Sequence, residues 1–418
     1  MRVLLVSVAT ERLNMRVLPL GLGMVAAAAR RDGHDVELHS VEAGAIPAEA
    51  VGEAVRRFAP DVVGFSVRNV DDQNMESPRF LLPPVAEGIA ACRVHTDAPV
   101  VLGGAGYSLF PRPILGFLGA DIGVRGDGEA VFPELLSRLD RGEDVSALPG
   151  VDVAGRAAGP PPGYVRDLET LPLPDASGWA SADPGDPELF VPVQTRRGCP
   201  LDCSYCATAA IEGHAIRFRS PETVATHVAA LAAAGFSRFY FVDNTFNLPP
   251  DYARALCRAL AARRLPVAWR CIVYPYALDD ALAREMAEAG CVEASLGFES
   301  GSGRILAAMN KRFRPDDVRA ASEALARHGI RRHGFLLLGG PGETPETVEE
   351  SLAFARSLGL ESLKVTLGIR IYPGTPLAAR AVTDGLVAPD DDLLAPRFYL
   401  APALRGRDAV PPDGRGAR

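Results

Sequence analysis

Short, almost wholly apolar runs alternate with amphipathic helical stretches along most of this chain, and that alternation leaves few folds open. Strand-like runs lie at residues 3–8, 36–39, 61–67, 100–103 and 122–124. Helical periodicity occupies 20–32, 48–58, 82–94 and 129–139 between them. Strands that are apolar on both faces, such as Asp61-Val-Val-Gly-Phe-Ser-Val67, must be covered on both sides by helices. The pattern over residues 1–140 therefore predicts an α/β domain built on a doubly wound parallel sheet. Ligands of such sheets sit beyond the carboxyl ends of the strands. Residues 141–189 break the pattern with Pro149, Pro160, Pro161, Pro162, Pro172, Pro174, Pro184 and Pro187. That density forbids long helices and central strands and predicts a linker. From 190 the alternation resumes. Strands are expected at 190–194, 239–242, 268–272, 293–297, 334–338 and 362–366. Helices are expected at 222–234, 251–263, 280–289, 304–309, 315–328 and 345–358. Six β/α units over 190–380 predict a full or partial (β/α)6 barrel with its chemistry at the strand carboxyl ends. Residues 381–418 read as a short extension, and 411–418 as a frayed end.

Charge and cysteine usage narrow the function. The 418 residues carry 44 basic against 52 acidic side chains, net −8, so nucleic acid is not an expected partner. The apolar stretch 18–29 is too short to span a membrane, and no membrane partner is expected. The start, Met1-Arg-Val-Leu-Leu-Val-Ser-Val8, runs into Thr10-Glu-Arg12 without a small-residue cleavage site. It reads as a strand rather than a signal peptide, which predicts a cytoplasmic protein with reduced thiols. Seven cysteines are too few for a disulfide scaffold.

Three of the seven fall in eight residues, Cys199-Pro-Leu-Asp-Cys203-Ser-Tyr-Cys206. Gly198 and Pro200 favour a turn there. Zinc would want a fourth close ligand, for which His214 is the nearest candidate, and there is no second Cys-x-x-Cys. Three thiols suit a [4Fe–4S] cluster with one iron left open to a ligand. The plainer reading, three unrelated core thiols, sits badly with such clustering. Cys92, Cys257, Cys271 and Cys291 read as small packing residues.

The segment Thr195-Arg-Arg-Gly-Cys-Pro-Leu-Asp-Cys-Ser-Tyr-Cys206 resembles the signature of the radical S-adenosylmethionine (SAM) superfamily. Phe241-Val-Asp-Asn244, Gly297-Phe-Glu-Ser-Gly-Ser302 with Met309-Asn-Lys311, Gly339-Gly-Pro-Gly-Glu-Thr344 and Tyr372-Pro-Gly-Thr-Pro376 follow in the family's order. The resemblance implies that Cys199, Cys203 and Cys206 hold the cluster and that its open iron chelates SAM. An electron, from a donor such as flavodoxin or ferredoxin, then cleaves SAM to methionine and a 5′-deoxyadenosyl radical. By position, Tyr205 is the usual aromatic residue before the third cysteine. Asp243 is expected at the methionine end, Glu299 with Ser300 at the ribose, and Arg370 at a carboxylate. Strand-end capping and loop hydrogen bonding are the plainer roles for these four.

The first domain resembles the cobalamin-binding domain that precedes one class of these enzymes. Pro19-Leu-Gly-Leu-Gly23, Gly103-Gly-Ala-Gly-Tyr-Ser108 and Arg125-Gly-Asp-Gly-Glu129 carry the likeness. It implies that Gly103, Gly104, Ala105, Gly106, Tyr107, Gly126 and Glu129 lie against the cofactor. The Asp-x-His-x-x-Gly loop that supplies a cobalt ligand in many cobalamin proteins is missing. His34, His39 and His95 read as surface or packing residues. After the third strand stands Val67-Arg-Asn-Val-Asp-Asp-Gln73, which places Arg68 or Asn69 at the lower face of the corrin. Arginine has no free lone pair and is a poor ligand. It would leave cobalt without a lower ligand, favouring a nucleophilic Co(I) and ready methyl transfer from methylcobalamin. The plainer reading pairs Arg68 with Asp71 or Asp72.

The expected function is cobalamin-dependent radical SAM methylation, most simply C-methylation, of a small-molecule substrate. A natural-product precursor such as an aromatic amino acid, for example tryptophan, fits, and Trp269, Tyr274 and Tyr276 are candidates to contact it. Arg397-Phe-Tyr-Leu400 is a candidate to close one end of the site. The alternatives are a rearrangement or cyclisation without net methylation, a non-catalytic cobalamin or iron–sulfur sensor, and a zinc-binding module. Methylthiotransfer needs a second cysteine-ligated cluster, which Cys92 alone cannot supply.

Overall fold

The computed structural model describes residues 1–8, 18–42, 44–179 and 182–406. The polar run 10–12 and the end at 411–418 lie outside the described residues. The first domain runs β1 (Arg2–Val8), α1 (Leu20–Arg31), β2 (Asp35–Val41), α2 (Pro47–Phe58), β3 (Val62–Ser66), α3 (Pro83–His95), β4 (Val100–Gly103), α4 (Ala105–Leu109), α5 (Pro111–Leu118), β5 (Ile122–Val124), α6 (Gly128–Asp140) and β6 (Val151–Val153). The sheet order is β2-β1-β3-β4-β5-β6, parallel except for β6, which runs antiparallel to β5. Val51, Val55 and Ile89 pack on one face and Ala26, Leu135 and Leu136 on the other. The sheet is doubly wound as expected, and its strand order reverses between β1 and β3, where such folds open a crevice.

Two features of this domain escape the sequence pattern. Helices α4 and α5 stand where Pro111, Pro113 and Gly104 break the helical period, yet Pro111 sits in the first turn of α5, where its missing N–H costs nothing. Strand β6 lies inside the stretch read as linker. At three residues it is too short to show a period, and it carries the sheet beyond residue 140. The rest of the proline-rich stretch is a strap held by side chains. Arg125 Nη2 donates to the carbonyls of Gly159 and Pro160, and Arg219 Nη1 to that of Leu171.

The second domain runs β7 (Val191–Val193), β8 (Arg196–Arg197), α7 (Thr208–Glu212), β9 (Arg217–Phe218), α8 (Pro221–Ala233), β10 (Arg238–Phe241), α9 (Pro250–Ala262), β11 (Ala268–Val273), α10 (Asp280–Glu288), β12 (Cys291–Glu299), α11 (Gly303–Ala308), α12 (Pro315–Arg327), β13 (Arg331–Leu338), α13 (Pro345–Ser357), β14 (Ser362–Leu367), β15 (Ile369–Arg370), α14 (Pro376–Thr383) and β16 (Phe398–Tyr399). Six parallel strands in the order β14-β13-β12-β11-β10-β7 form a partial barrel, because β14 and β7 do not pair. Alternation along each strand sorts its side chains. Phe239, Phe241, Trp269, Cys271, Leu296 and Phe298 join a core with Leu256 of α9 and Leu282 of α10. Tyr240, Arg270, Ser295, Glu299 and Phe335 take the opposite, inner face. Trp269 thus belongs to the outer core, with Nε1 donating to the Ala289 carbonyl, and is no substrate contact. Tyr274 is likewise buried, its hydroxyl accepting from the Arg312 amide, whereas Tyr276 is exposed.

The two domains share a core. Val63, Phe65, Phe110 and Ile114 of the first cluster with Ile305, Met309, Ile369, Ile371, Leu377 and Tyr399 of the second. The C-terminal extension is therefore structural. Strand β16 pairs antiparallel with β15 in a separate two-stranded sheet, and the Ala401 amide donates to the Gly339 carbonyl; residues 397–400 do not line the cleft described below. Among the described residues no helix is long and apolar enough to cross a membrane.

Candidate active site between the two sheets

The three clustered cysteines lie on the loop between β8 and α7. Gly198 opens it at φ +91°, where a Cβ would stand 2.1 Å from the Ala215 carbonyl oxygen, so only glycine makes the turn. The loop is tied down at both ends. The Cys199 amide donates to Gly213, the Ser204 amide to Met309, and the Leu377 amide to Ser204. Cys199 and Cys203 are buried and Cys206 is exposed. Burial pushes both buried thiols above their ordinary range, and Lys311 pulls Cys203 back. A zinc site needs donors drawn to one point. Beyond the three thiols the fourth donor proposed for zinc, His214, is exposed. Three thiols on one anchored loop are the donor set of a [4Fe–4S] cluster with an open iron.

Glu299 stands at the carboxyl end of β12, where the register with β13 shifts between Gly297 and Glu299. Its φ is +64°, uncommon for a side chain other than glycine. Bulges of this kind re-aim a side chain beside a site. The Tyr205 hydroxyl donates to Glu299 Oε1 at 3.0 Å and Lys311 Nζ lies 3.4 Å from the same oxygen. Oε2 has no partner among the described residues and is free to accept from a ligand hydroxyl. Lys311 was visible in sequence only as a motif letter. Its burial would lower it, but Tyr205 and Glu299 hold it well above the ordinary lysine range.

Three expected contacts are otherwise engaged. Asp243 accepts from the Thr195 amide (2.9 Å), the Thr195 hydroxyl (2.7 Å) and the Arg196 amide (3.2 Å), so its carboxylate fastens β8 to the end of β10. Ser300 is fully buried, its hydroxyl bonded to Ser351 Oγ and accepting from the Ser302 amide. Arg370 is 3% exposed, and its guanidinium is committed to Asp71 (Nε–Oδ2 2.7 Å) and to the carbonyls of Ile371 and Leu393. It ties the loop after β3 to β15 and is not available to a SAM carboxylate.

A cleft of about 210 Å³ opens at the carboxyl ends of β1, β3, β4 and β5 and reaches Gln194, Arg197, Ile211 and Glu212 of the second domain. Gly103, Gly104, Ala105, Gly126 and Glu129 line it, as do Ser66, Ser108 and Asp127. A Cβ on Gly103 would meet only the Val124 carbonyl oxygen, at 3.8 Å, so the cleft is open where a flat cofactor or its nucleotide tail has to approach the strand. Gly106 and Tyr107 are not part of the lining. Gly106 packs on Val67, and the buried Tyr107 hydroxyl donates to Asp152 at 3.1 Å. Arg68 and Asn69 also lie outside the lining, two and three residues past Ser66, which is part of it. Glu129 carries a second duty. Arg197 Nη1 donates to Asp127 (2.8 Å) and Nη2 to Glu129, while Arg217 Nη1 donates to Asp127. This buried network joins the cleft to the residue two before Cys199. Its members sit inside the motifs already quoted, but nothing in the spacing says that residues 127 and 197 meet.

The model of the radical SAM superfamily matches residues 193–355 and that of the B12 binding domain residues 6–136. The chain belongs to the cobalamin-binding radical SAM enzymes. An uncharacterized methyltransferase of Pyrococcus horikoshii is 27% identical over 398 residues, 93% of this chain and 84% of that protein. The cytidylyl-2-hydroxyethylphosphonate methyltransferase of Streptomyces wedmorensis is 25% identical over 436 residues, 90% and 80% of the two chains. Among solved structures, the radical SAM methyltransferase TsrM of Kitasatospora setae, with cobalamin and a [4Fe–4S] cluster bound, superposes with a TM-score of 0.83 at 23% identity, over 98% of this chain and 85% of that one. TsrM is also known with tryptophan substrate and a SAM analogue bound, at a TM-score of 0.81 and 24% identity, over 92% and 76% of the two chains. At these identities the structural likeness speaks for the fold. This radical SAM enzyme is a methyltransferase, and its cofactors are a [4Fe–4S] cluster, SAM and cobalamin.

Proposed function

We propose that this enzyme methylates a carbon of a small planar molecule, with an aromatic amino acid such as tryptophan as the type of substrate. The observation that carries this reading is the setting of Arg68. Its guanidinium makes no ion pair or hydrogen bond among the described residues. Asp71 and Asp72, the carboxylates next to it in sequence, are taken by Arg370 and Arg79. Arg68 is exposed just past β3, beside the cleft, and its charge acts on the Tyr240 phenol of the inner barrel face. An unpaired cation beside the cleft would supply positive charge, and no metal ligand, to bound cobalamin.

When bound, cobalamin relays the methyl group of SAM, and the cluster, with its electron donor, supplies single electrons. The chain's own residues do the rest. Tyr205 and Lys311 orient Glu299 so that Oε2 is left for the ribose. The buried Arg197 network and the shared core hold the two sheets in one arrangement, which supplies proximity and excludes water. Tyr240, His333 and Phe335 offer an aromatic inner surface to a planar substrate.

Anaerobic reconstitution with iron, sulfide, cobalamin, a reductant such as titanium citrate or a flavodoxin system, and SAM carrying a deuterated methyl group tests the reading. Label on a carbon of tryptophan or a related amino acid is the expected result. A product without mass gain would mean rearrangement or cyclisation, and failure to cleave SAM or methylate cobalamin would mean a sensor. Arg68→Ala is expected to keep cobalamin affinity, to alter the absorbance of bound cobalamin and to slow methylation about tenfold. Unchanged spectrum and turnover would remove Arg68 from the mechanism.

A further inference from the structure

Arg196, on β8, is a buried cation with an unspent donor. It lies three residues before Cys199 and is 3% exposed. Nη2 donates to Thr245 Oγ1 in the loop after β10. Nη1 is shut off from solvent and has no partner among the described residues. Asp243 is the carboxylate that acts most strongly on it, but both Asp243 oxygens already accept from Thr195 and from the Arg196 main-chain amide. A buried guanidinium with an unmade hydrogen bond is costly unless an anion reaches it. Cys199 is within its electrostatic reach, and each favours the charged form of the other.

Filling the cysteine loop brings such an anion. A cluster held by three thiolates has sulfur acceptors and a negative charge that grows by one when it takes an electron. Hydrogen bonds to the sulfurs and net charge are the protein's levers on cluster potential. We propose that Arg196 donates its free Nη1–H to a sulfur of the [4Fe–4S] cluster and thereby raises the potential at which the cluster accepts its electron. The step is a one-electron reduction by an external low-potential donor of the flavodoxin or ferredoxin class. No bond to Arg196 forms or breaks and no proton leaves it. The cation stabilises the reduced cluster more than the oxidised one, and burial strengthens that preference. Anchoring at Thr245 fixes the direction of the fork, so Arg196 acts without ligating iron.

This rests on the cluster assignment and is tested apart from it. Wild-type enzyme, Arg196→Met and Arg196→Lys are reconstituted, their iron and sulfide measured, and the cluster titrated electrochemically with electron paramagnetic resonance as the readout. In Arg196→Met, at full iron content, the reduction equilibrium is expected to shift at least tenfold against the reduced form, about 59 mV for one electron. Arg196→Lys, which keeps the charge, is expected to recover more than half of that shift. An unmoved potential in Arg196→Met overturns the proposal. So does weaker SAM binding at unchanged potential, which would direct the donor to the SAM carboxylate. Loss of the cluster in both variants would make Arg196 a folding residue and also overturn it. Should only Arg196→Met lose iron, Thr245→Val is titrated in its place, and an unmoved potential there is equally decisive. Wild-type protein without iron–sulfur absorbance would instead defeat the cluster assignment itself.

Discussion

Glu299 shows how much a single residue can be made to do. Its left-handed backbone, the register shift behind it and the two donors on one oxygen all serve to present the other oxygen. Glu299→Gln keeps the shape but removes the charge. One charge-assisted hydrogen bond contributes roughly 1.5–3 kcal/mol, so SAM affinity of the reconstituted enzyme is expected to fall about 10- to 100-fold, measured by calorimetry. A second residue sets a pH limit on the fold. Burial, reinforced by Arg219, pushes His227 down to about 4. The unfolded chain takes up a proton near pH 6.5 that the folded chain refuses. Stability is therefore fully present above pH 6.5 and falls as pH drops toward 4, by up to roughly 3 kcal/mol. Denaturant unfolding of His227→Asn beside the wild type should show a shallower loss over that window; identical slopes would remove His227 from the account.

At the scale of elements, the loop after β3 links the two sheets. The Arg68 charge acts from it on Tyr240, and Asp71 meets Arg370 of β15 with both side chains buried. Removing one partner of such a pair leaves an uncompensated charge. Asp71→Ala is expected to lower unfolding free energy by about 3–5 kcal/mol, seen as a lower denaturant midpoint. Activity should fall with it if the loop also positions the cofactor. The elements themselves were largely legible. Most strands and helices longer than about five residues carry enough period to be read and stand within a few residues of expectation. The three-residue strands β5 and β7 are expected as well, whereas helices α4, α5, α7 and α14 and strands β6, β8, β9, β15 and β16 are not, being short or set among prolines and glycines that mask a period.

At the scale of the whole molecule, the cleft and the cysteine loop are separate sites joined by buried ion pairs. Blocking one should leave the other intact. Gly103→Leu places a side chain in the cleft, where there is room for the residue but not for a cofactor beside it. It is expected to abolish cobalamin binding in a spectroscopic titration while iron content stays at the wild-type level. Loss of both would mean that the two sites assemble together. Cobalamin binding to the native fold should also raise the wild-type Tm with cofactor concentration.

The sequence by itself determined the class of fold, the order of the two sheets and the three thiols, since period, glycine turns and cysteine spacing are local properties. Only the tertiary structure decided what the polar residues do. Asp243, Ser300 and Arg370 occupy positions the motifs assign to SAM, yet each is satisfied by a protein partner far along the chain, Thr195, Ser351 and Asp71. Arg68, in contrast, is left unpaired among the described residues because its neighbours Asp71 and Asp72 are claimed elsewhere. A hydrogen-bond partner is chosen by distance in space, and spacing along the chain carries no record of it.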